Sequence, residues 1–157
     1  METERLVLRP MKAEDIDAML DVFTSFTEPR FTRSQMLQWV HRNLDHQARH
    51  GYGLFAVILK GEGLLIGDCG LEWMEVDGVP VAELGYDLAR SYWNQGYATE
   101  AATAVRDYTL RSLGLPDIVS LIQVGNLASR RVAEKLGMRL LDEIVRYSRP
   151  YWKYGIG

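Results

Sequence analysis

The chain has 157 residues, 47% of them apolar and 25% charged, with a net charge of −3. That length suits one domain over residues 1–157 with a buried core, and the slight acidity argues against a general nucleic-acid or anionic-membrane binder. The single cysteine, Cys69, excludes an intrachain disulfide framework; with no apolar run of about 18 residues and no signal-peptide core, a cytoplasmic protein is expected.

Residues 6–9 read as a strand ended by Pro10, and 13–23 as a helix with Ile16, Met19, Leu20 and Phe23 on one face. Ser34 is placed to cap a second helix that runs to His50 and stops at Gly51. Strands follow at 54–59, 64–73 and 81–88, the last two joined through Asp77-Gly78, a pair suited to a tight hairpin. Residues 97–113 read as a helix ended by Gly114 and Pro116. Residues 118–124 form a β-branched, near-continuous apolar strand, which suggests burial. A helix at 127–136 stops at Gly137, and strands at 138–146 and 152–156 close the chain around Arg149-Pro150.

Two segments carry chemistry. In Tyr92-Trp93-Asn94-Gln95-Gly96-Tyr97-Ala98-Thr99-Glu100-Ala101, a strand, a glycine-bearing loop and a helix start follow one another. The first N–H groups of a helix lack intrahelical partners, and the dipole makes that end electropositive. Gly96 leaves those amides open to a phosphate. The second segment, Asn126-Leu127-Ala128-Ser129-Arg130-Arg131, also follows a strand and starts a helix.

Together these segments resemble the Gcn5-related N-acetyltransferase (GNAT) superfamily. The opening Glu4-Arg5-Leu6-Val7-Leu8-Arg9-Pro10 and closing Trp152-Lys153-Tyr154-Gly155-Ile156 are similar to its RimJ/RimL-like ribosomal-protein alanine acetyltransferases. The resemblance implies an α/β GNAT fold, β-α-α-β-β-β-α-β-α-β-β, with a mixed, mostly antiparallel sheet and helices on both faces. It implies that acetyl-CoA lies across Gln95, Gly96, Tyr97, Ala98 and Thr99, with the pantetheine arm on Asn126 and the acetyl sulfur near Ser129. Backbone groups near Tyr86 or Leu88 would polarise the thioester. Arg130 and Arg131 begin the helix after Asn126, where one of them, Arg131, is placed to reach a CoA phosphate, with surface solvation an equal contender.

Trp93 and Gln95 depart from the broad pattern, which has Gln or Arg at the first position and often a basic residue at the second. Ala133 stands where many members carry a tyrosine general acid, leaving Ser129, Tyr147, Tyr154 or water to protonate the thiolate. Glu83 is the expected base, with Asp87 and Glu72 as alternatives; strand parity puts Glu83, Gly85 and Asp87 on one face. Asn126 and Ser129 also read simply as a helix start, and Glu83 as a solvated sheet residue. Cys69 reads as a packed thiol. His41, His46 and His50 read as a solvated helix face, not a metal site. Phe26, Phe31, Trp39 and Trp73 read as core, some of them candidates for lining an acceptor pocket.

The expected activity is acetyl transfer from acetyl-CoA to a primary amine, either a protein N-terminus or a small molecule. The alternative is a catalytically weak acyl-CoA-binding module acting through a partner. No metal, nucleic acid or membrane is expected, and a homodimer is left open.

Overall fold

The computed structural model describes residues 1–115 and 117–156. The elements are β1 (Leu6–Pro10), α1 (Ile16–Thr24), α2 (Arg33–His50), β2 (Leu54–Leu59), β3 (Leu64–Val76), β4 (Val79–Leu88), α3 (Tyr97–Tyr108), β5 (Ile118–Gln123), α4 (Leu127–Lys135), β6 (Arg139–Arg146) and β7 (Arg149–Ile156). The strands form one sheet in the order β1-β2-β3-β4-β5-β7-β6, antiparallel throughout except between β4 and β5. This is the expected order of elements.

The sheet divides the core in two. Ala101, Ala102 and Val105 of α3 pack with Ala133 and Leu136 at α4 against Ile66, Leu84 and Ile118. Met19 and Val22 of α1 pack with Met36 and Val40 of α2 against Ala56. Cys69 is fully buried in the first cluster, as a packed thiol should be.

Local chemistry moves several boundaries. Thr32, not Ser34, caps α2: its hydroxyl accepts from the Gln35 N–H at 3.1 Å, and the Gln35 side chain accepts from the Thr32 N–H at 2.8 Å. The segment 97–113 is not one α-helix, because α3 widens into a π turn over Thr109–Leu113. Pro116, expected to help end it, lies outside the described residues. The last hairpin turns at Tyr147 and Ser148, both with positive φ, so Arg149 and Pro150 already belong to β7; proline could not supply that backbone geometry. Asp77 and Gly78 turn the β3–β4 hairpin with φ of 51° and 78°, as their sequence indicates. No described helix is long and apolar enough to cross a membrane.

His41 is exposed, but His46 and His50 are not a plain solvated face. β2 begins at Leu54 opposite Gly70, so β3 runs on past its neighbour. His46 Nε2 accepts from the Trp73 N–H at 2.8 Å and extends the ladder with a side chain, while His50 stacks on Trp73 at 5.4 Å. Burial, and then His50, hold the His46 value below the usual 6.5. Its neutral form therefore adds stability that is present above pH 6.5 and lost as pH falls through the lowered value. Thermal melts from pH 7 to 5 are expected to show a smaller acid-side loss for His46→Gln, which keeps an acceptor without the titration; parallel curves would exclude His46 as the source.

Candidate active site

The site grows from a break in the sheet. β4 and β5 share one ladder pair, Glu83 with Val119, and then diverge. Beyond it the Ser120 hydroxyl donates to the Leu84 carbonyl at 2.8 Å. The Ala89 N–H bonds Ile66 across β3, so alternation turns the backbone groups of Leu84, Tyr86 and Leu88 toward the β5 side. The indole N–H of Trp93 takes the Leu88 carbonyl at 2.8 Å. No ladder pair joins β4 to β5 beyond Glu83, which leaves the Tyr86 N–H and C=O and the Leu88 N–H off the ladder. Buried backbone groups seek partners, so this is a place for an added extended chain. Trp93, which departs from the common motif, thus ties the following loop to the end of β4.

That loop delivers the start of α3. Gly96 has φ of 83°, in the left-handed region, and leads the N–H groups of Tyr97, Ala98 and Thr99 into the cavity wall. The loop is clamped from the other end of the chain. Arg5 donates to Glu100 at 2.8 Å and to the Gln95 carbonyl at 3.0 Å, and its guanidinium lies 4.0 Å from the Tyr97 ring centre. Glu100 also accepts from the Arg5 N–H and the Thr3 hydroxyl.

A cavity of about 460 Å³ opens here. Of the sequence-predicted cofactor residues, Tyr86, Leu88, Gly96, Tyr97, Ala98 and Thr99 line one part of it; Asn126, Ser129 and Arg131 line another. Gln95 does not: its side chain turns back to the Ser91 carbonyl at 2.8 Å. Arg130 is also diverted, to Glu134 at 2.9 Å and over the Trp152 ring, whereas Lys135, which the sequence reading did not single out, joins Arg131 on the wall. The cavity, the α3 amides and the two cations fit a phosphorylated, extended ligand.

Glu83 lines a smaller recess of about 160 Å³ that shares Tyr86, Ser129 and Val132 with the main cavity. Burial, with the added charge of Glu72, raises Glu83 from 4.5 to about 8; the Leu121 backbone amide opposes the rise. Asp87 lines the main cavity and Glu72 lines neither.

Asn126 does cap α4, accepting from the Ser129 N–H at 3.2 Å, so the capping and cavity readings coexist. The contact that the sequence did not reveal is between Tyr86 and Ser129: the phenol donates to the Ser129 hydroxyl at 3.1 Å. Burial pushes the Tyr86 phenol up, against the pull of that bond. The other tyrosines are elsewhere. Tyr147 is 79% exposed in the β6–β7 turn, and Tyr154 is buried with its hydroxyl on Glu134. Ala133 is buried and lines the recess. The aromatic group separates likewise. Phe31 and Trp39 pack on Phe23, Trp73 sits with His50, and only Phe26 reaches the cavity, 6.0 Å from Trp93. Among the described residues no cluster of three metal-ligating groups occurs.

Residues 5–139 match the acetyltransferase (GNAT) domain family. The uncharacterized protein YkkB of Bacillus subtilis (strain 168) is 33% identical over 159 residues, covering 97% of this chain and 92% of that protein. A putative GNAT-family acetyltransferase from Bordetella pertussis superposes with a TM-score of 0.91 at 22% identity, over 100% of this chain and 98% of that one. RimL, a ribosomal L7/L12 alpha-N-protein acetyltransferase solved in complex with coenzyme A, superposes with a TM-score of 0.78 at 17% identity, over 98% and 94%. With its splayed strands, its open helix start and this match, the chain belongs to the GNAT acetyltransferase family and is an acetyl-CoA-dependent acyltransferase.

Proposed function

We propose that the protein acetylates a primary amine in the recess between Glu83 and Ser129. The observation that carries this reading is the recess itself, where a carboxylate of raised affinity for protons and a serine–tyrosine pair share one wall. Acetyl-CoA, when bound, supplies the thioester carbonyl that the amine attacks. Backbone groups of Tyr86 and Leu88 off the ladder would hold its pantetheine arm, and the α3 amides, Arg131 and Lys135 would hold its phosphates. The opening residues 4–10 and closing residues 152–156, similar to RimJ/RimL-like sequences, support membership of that branch.

Glu83 accepts the proton of the incoming ammonium, alone or through a water. A base near pH 8 is better matched to an alkyl ammonium than an ordinary carboxylate would be. Ser129, oriented by the Tyr86 phenol, faces the leaving sulfur and donates a proton to it. Tyr86 thereby takes up the position in the chemistry that Ala133 leaves unfilled.

Release of free CoA thiol with a panel of amines tests the activity, and binding without amine-dependent release would favour a non-catalytic module. In the same assay Ser129→Ala is expected to lower kcat about tenfold to a thousandfold, with little change in acetyl-CoA affinity. Loss of affinity with kcat intact would assign Ser129 to binding or capping instead.

A further inference from the structure

Four carboxylates stand on one face of the β3–β4 ribbon. The register sets Asp68 opposite Asp87 and Glu72 opposite Glu83, with Gly70 and Gly85 between. Like charges directly opposite one another destabilise a sheet. Among the described residues none of the four has an ion-pair partner.

Asp68 is the extreme case. It is 1% exposed, and neither carboxylate oxygen has a hydrogen-bond partner among the described residues. Its neighbour across the strands is the Asp87 carboxylate, and burial pushes both upward. Two acids set opposite one another disfavour ionising together, so the negative charge of the pair falls on Asp87, the half-buried member. That charge is not sealed in, because Asp87 lines the main cavity beside Phe26 and Trp93.

Glu83 points toward the same place. Its Oε2 lies 3.1 Å from where a β-carbon on Gly85 would stand, so the carboxylate leans along β4 over a residue without a side chain. Two acidic positions therefore line one rim, one at the recess and one at the cavity. The complement to two acidic positions beside apolar aromatic faces is an organic cation with two nitrogens. The apolar faces of Phe26 and Trp93 suit the methylene chain between them.

We propose that the acceptor is a diamine or polyamine: one nitrogen is acetylated at Glu83 while a second, still protonated, is held by Asp87 with Asp68 behind it. The inference rests on the acetyl-transfer reading above and narrows its substrate class. The reacting ammonium gives one proton to Glu83, the N–C bond forms as the C–S bond breaks, the thiolate takes a proton from Ser129, and the second proton shed by the nitrogen returns to Ser129 through water. A peptide with one free α-amine would leave Asp87 unmatched.

The test compares α,ω-diamines of three to six carbons with the monoamines of equal length, by CoA thiol release under first-order conditions in amine. The best diamine is expected to exceed its monoamine at least tenfold in kcat/KM, and Asp87→Asn to collapse that ratio toward one. An acetyl-CoA-induced rise in Tm reports whether the variant remains folded; if it does not, the wild-type ratio alone decides. Equal rates for diamine and monoamine, a ratio that survives Asp87→Asn, or faster turnover of an alanine-initial peptide would overturn the proposal while leaving acetyl transfer intact. Acetyl-CoA binding with no turnover of any amine would overturn acetyl transfer itself, and this inference with it.

Discussion

Gly96→Glu is expected to erase the rise in Tm that acetyl-CoA produces. For the wild type, ligand at a hundred times Kd contributes about 2.7 kcal/mol, or roughly 5–10 °C for a chain of this size. Glutamate at this position fails for two reasons. The φ of 83° is strained for any residue with a β-carbon, costing on the order of 1 kcal/mol. The new carboxylate also stands where the α3 amides would meet a phosphate, and like charge repels. Among the described residues the only atom within 4 Å of a β-carbon here is an Arg5 nitrogen at 3.3 Å, so the fold has room to survive. A Tm without ligand close to that of the wild type, together with no ligand-induced rise, is the predicted pair of readings. An undiminished rise would mean that the phosphates bind elsewhere.

Glu83→Gln carries the other large effect, and it should act on rate and on stability in opposite directions. With an alkyl amine, the wild-type kcat/KM should climb with pH and level off near 8, where Glu83 becomes ionised. The glutamine variant must wait for free amine, so its profile should climb toward pH 10. The deficit at pH 7 should reach about a hundredfold or more, and shrink at high pH. Stability follows from linkage. Glu83 moves from 4.5 to about 8 on folding, so the folded state holds its proton more tightly. Its contribution is fully present below pH 4.5 and is lost as pH rises to about 8. Glutamine removes that loss. The variant should melt above the wild type at pH 8–9 and match it near pH 4. Rate profiles offset equally at every pH would make Glu83 a positioning residue, and equal melting at pH 9 would mean that the carboxylate is not held neutral.

Both predictions concern residues that the sequence alone brings forward, and the reason is physical. Gly96 is legible because a left-handed position before a helix start selects glycine locally. Glu83 is legible because strand parity needs only the run from Val81 to Leu88. Asp77-Gly78 is legible for the same reason as Gly96. What stayed hidden is what depends on register or on distant pairing. Tyr86 meets Ser129 across 43 positions, and Arg5 meets Gln95 across 90; no spacing rule reaches that far. Asp68 gave no signal, since only the register of β3 on β4 sets it against Asp87. Trp93 looked like a departure from the motif until its indole was seen on the Leu88 carbonyl. Ser34 reads as a cap by residue type alone, whereas the Thr32–Gln35 capping box is recognised only when both partners are read together.

The single ladder pair between β4 and β5 has a mechanical side. The sheet is two leaves, β1-β2-β3-β4 and β5-β7-β6, joined along their backbones at Glu83 and Val119 and braced by one serine hydroxyl. The helices α3 and α4 form the spine behind them. A seam held by so few bonds concentrates compliance there, beside the residues proposed to react. A chain of pantetheine length laid along the seam would act as a splint, and the distance across the recess from Glu83 to Ser129 would then be set by the cofactor as much as by the protein.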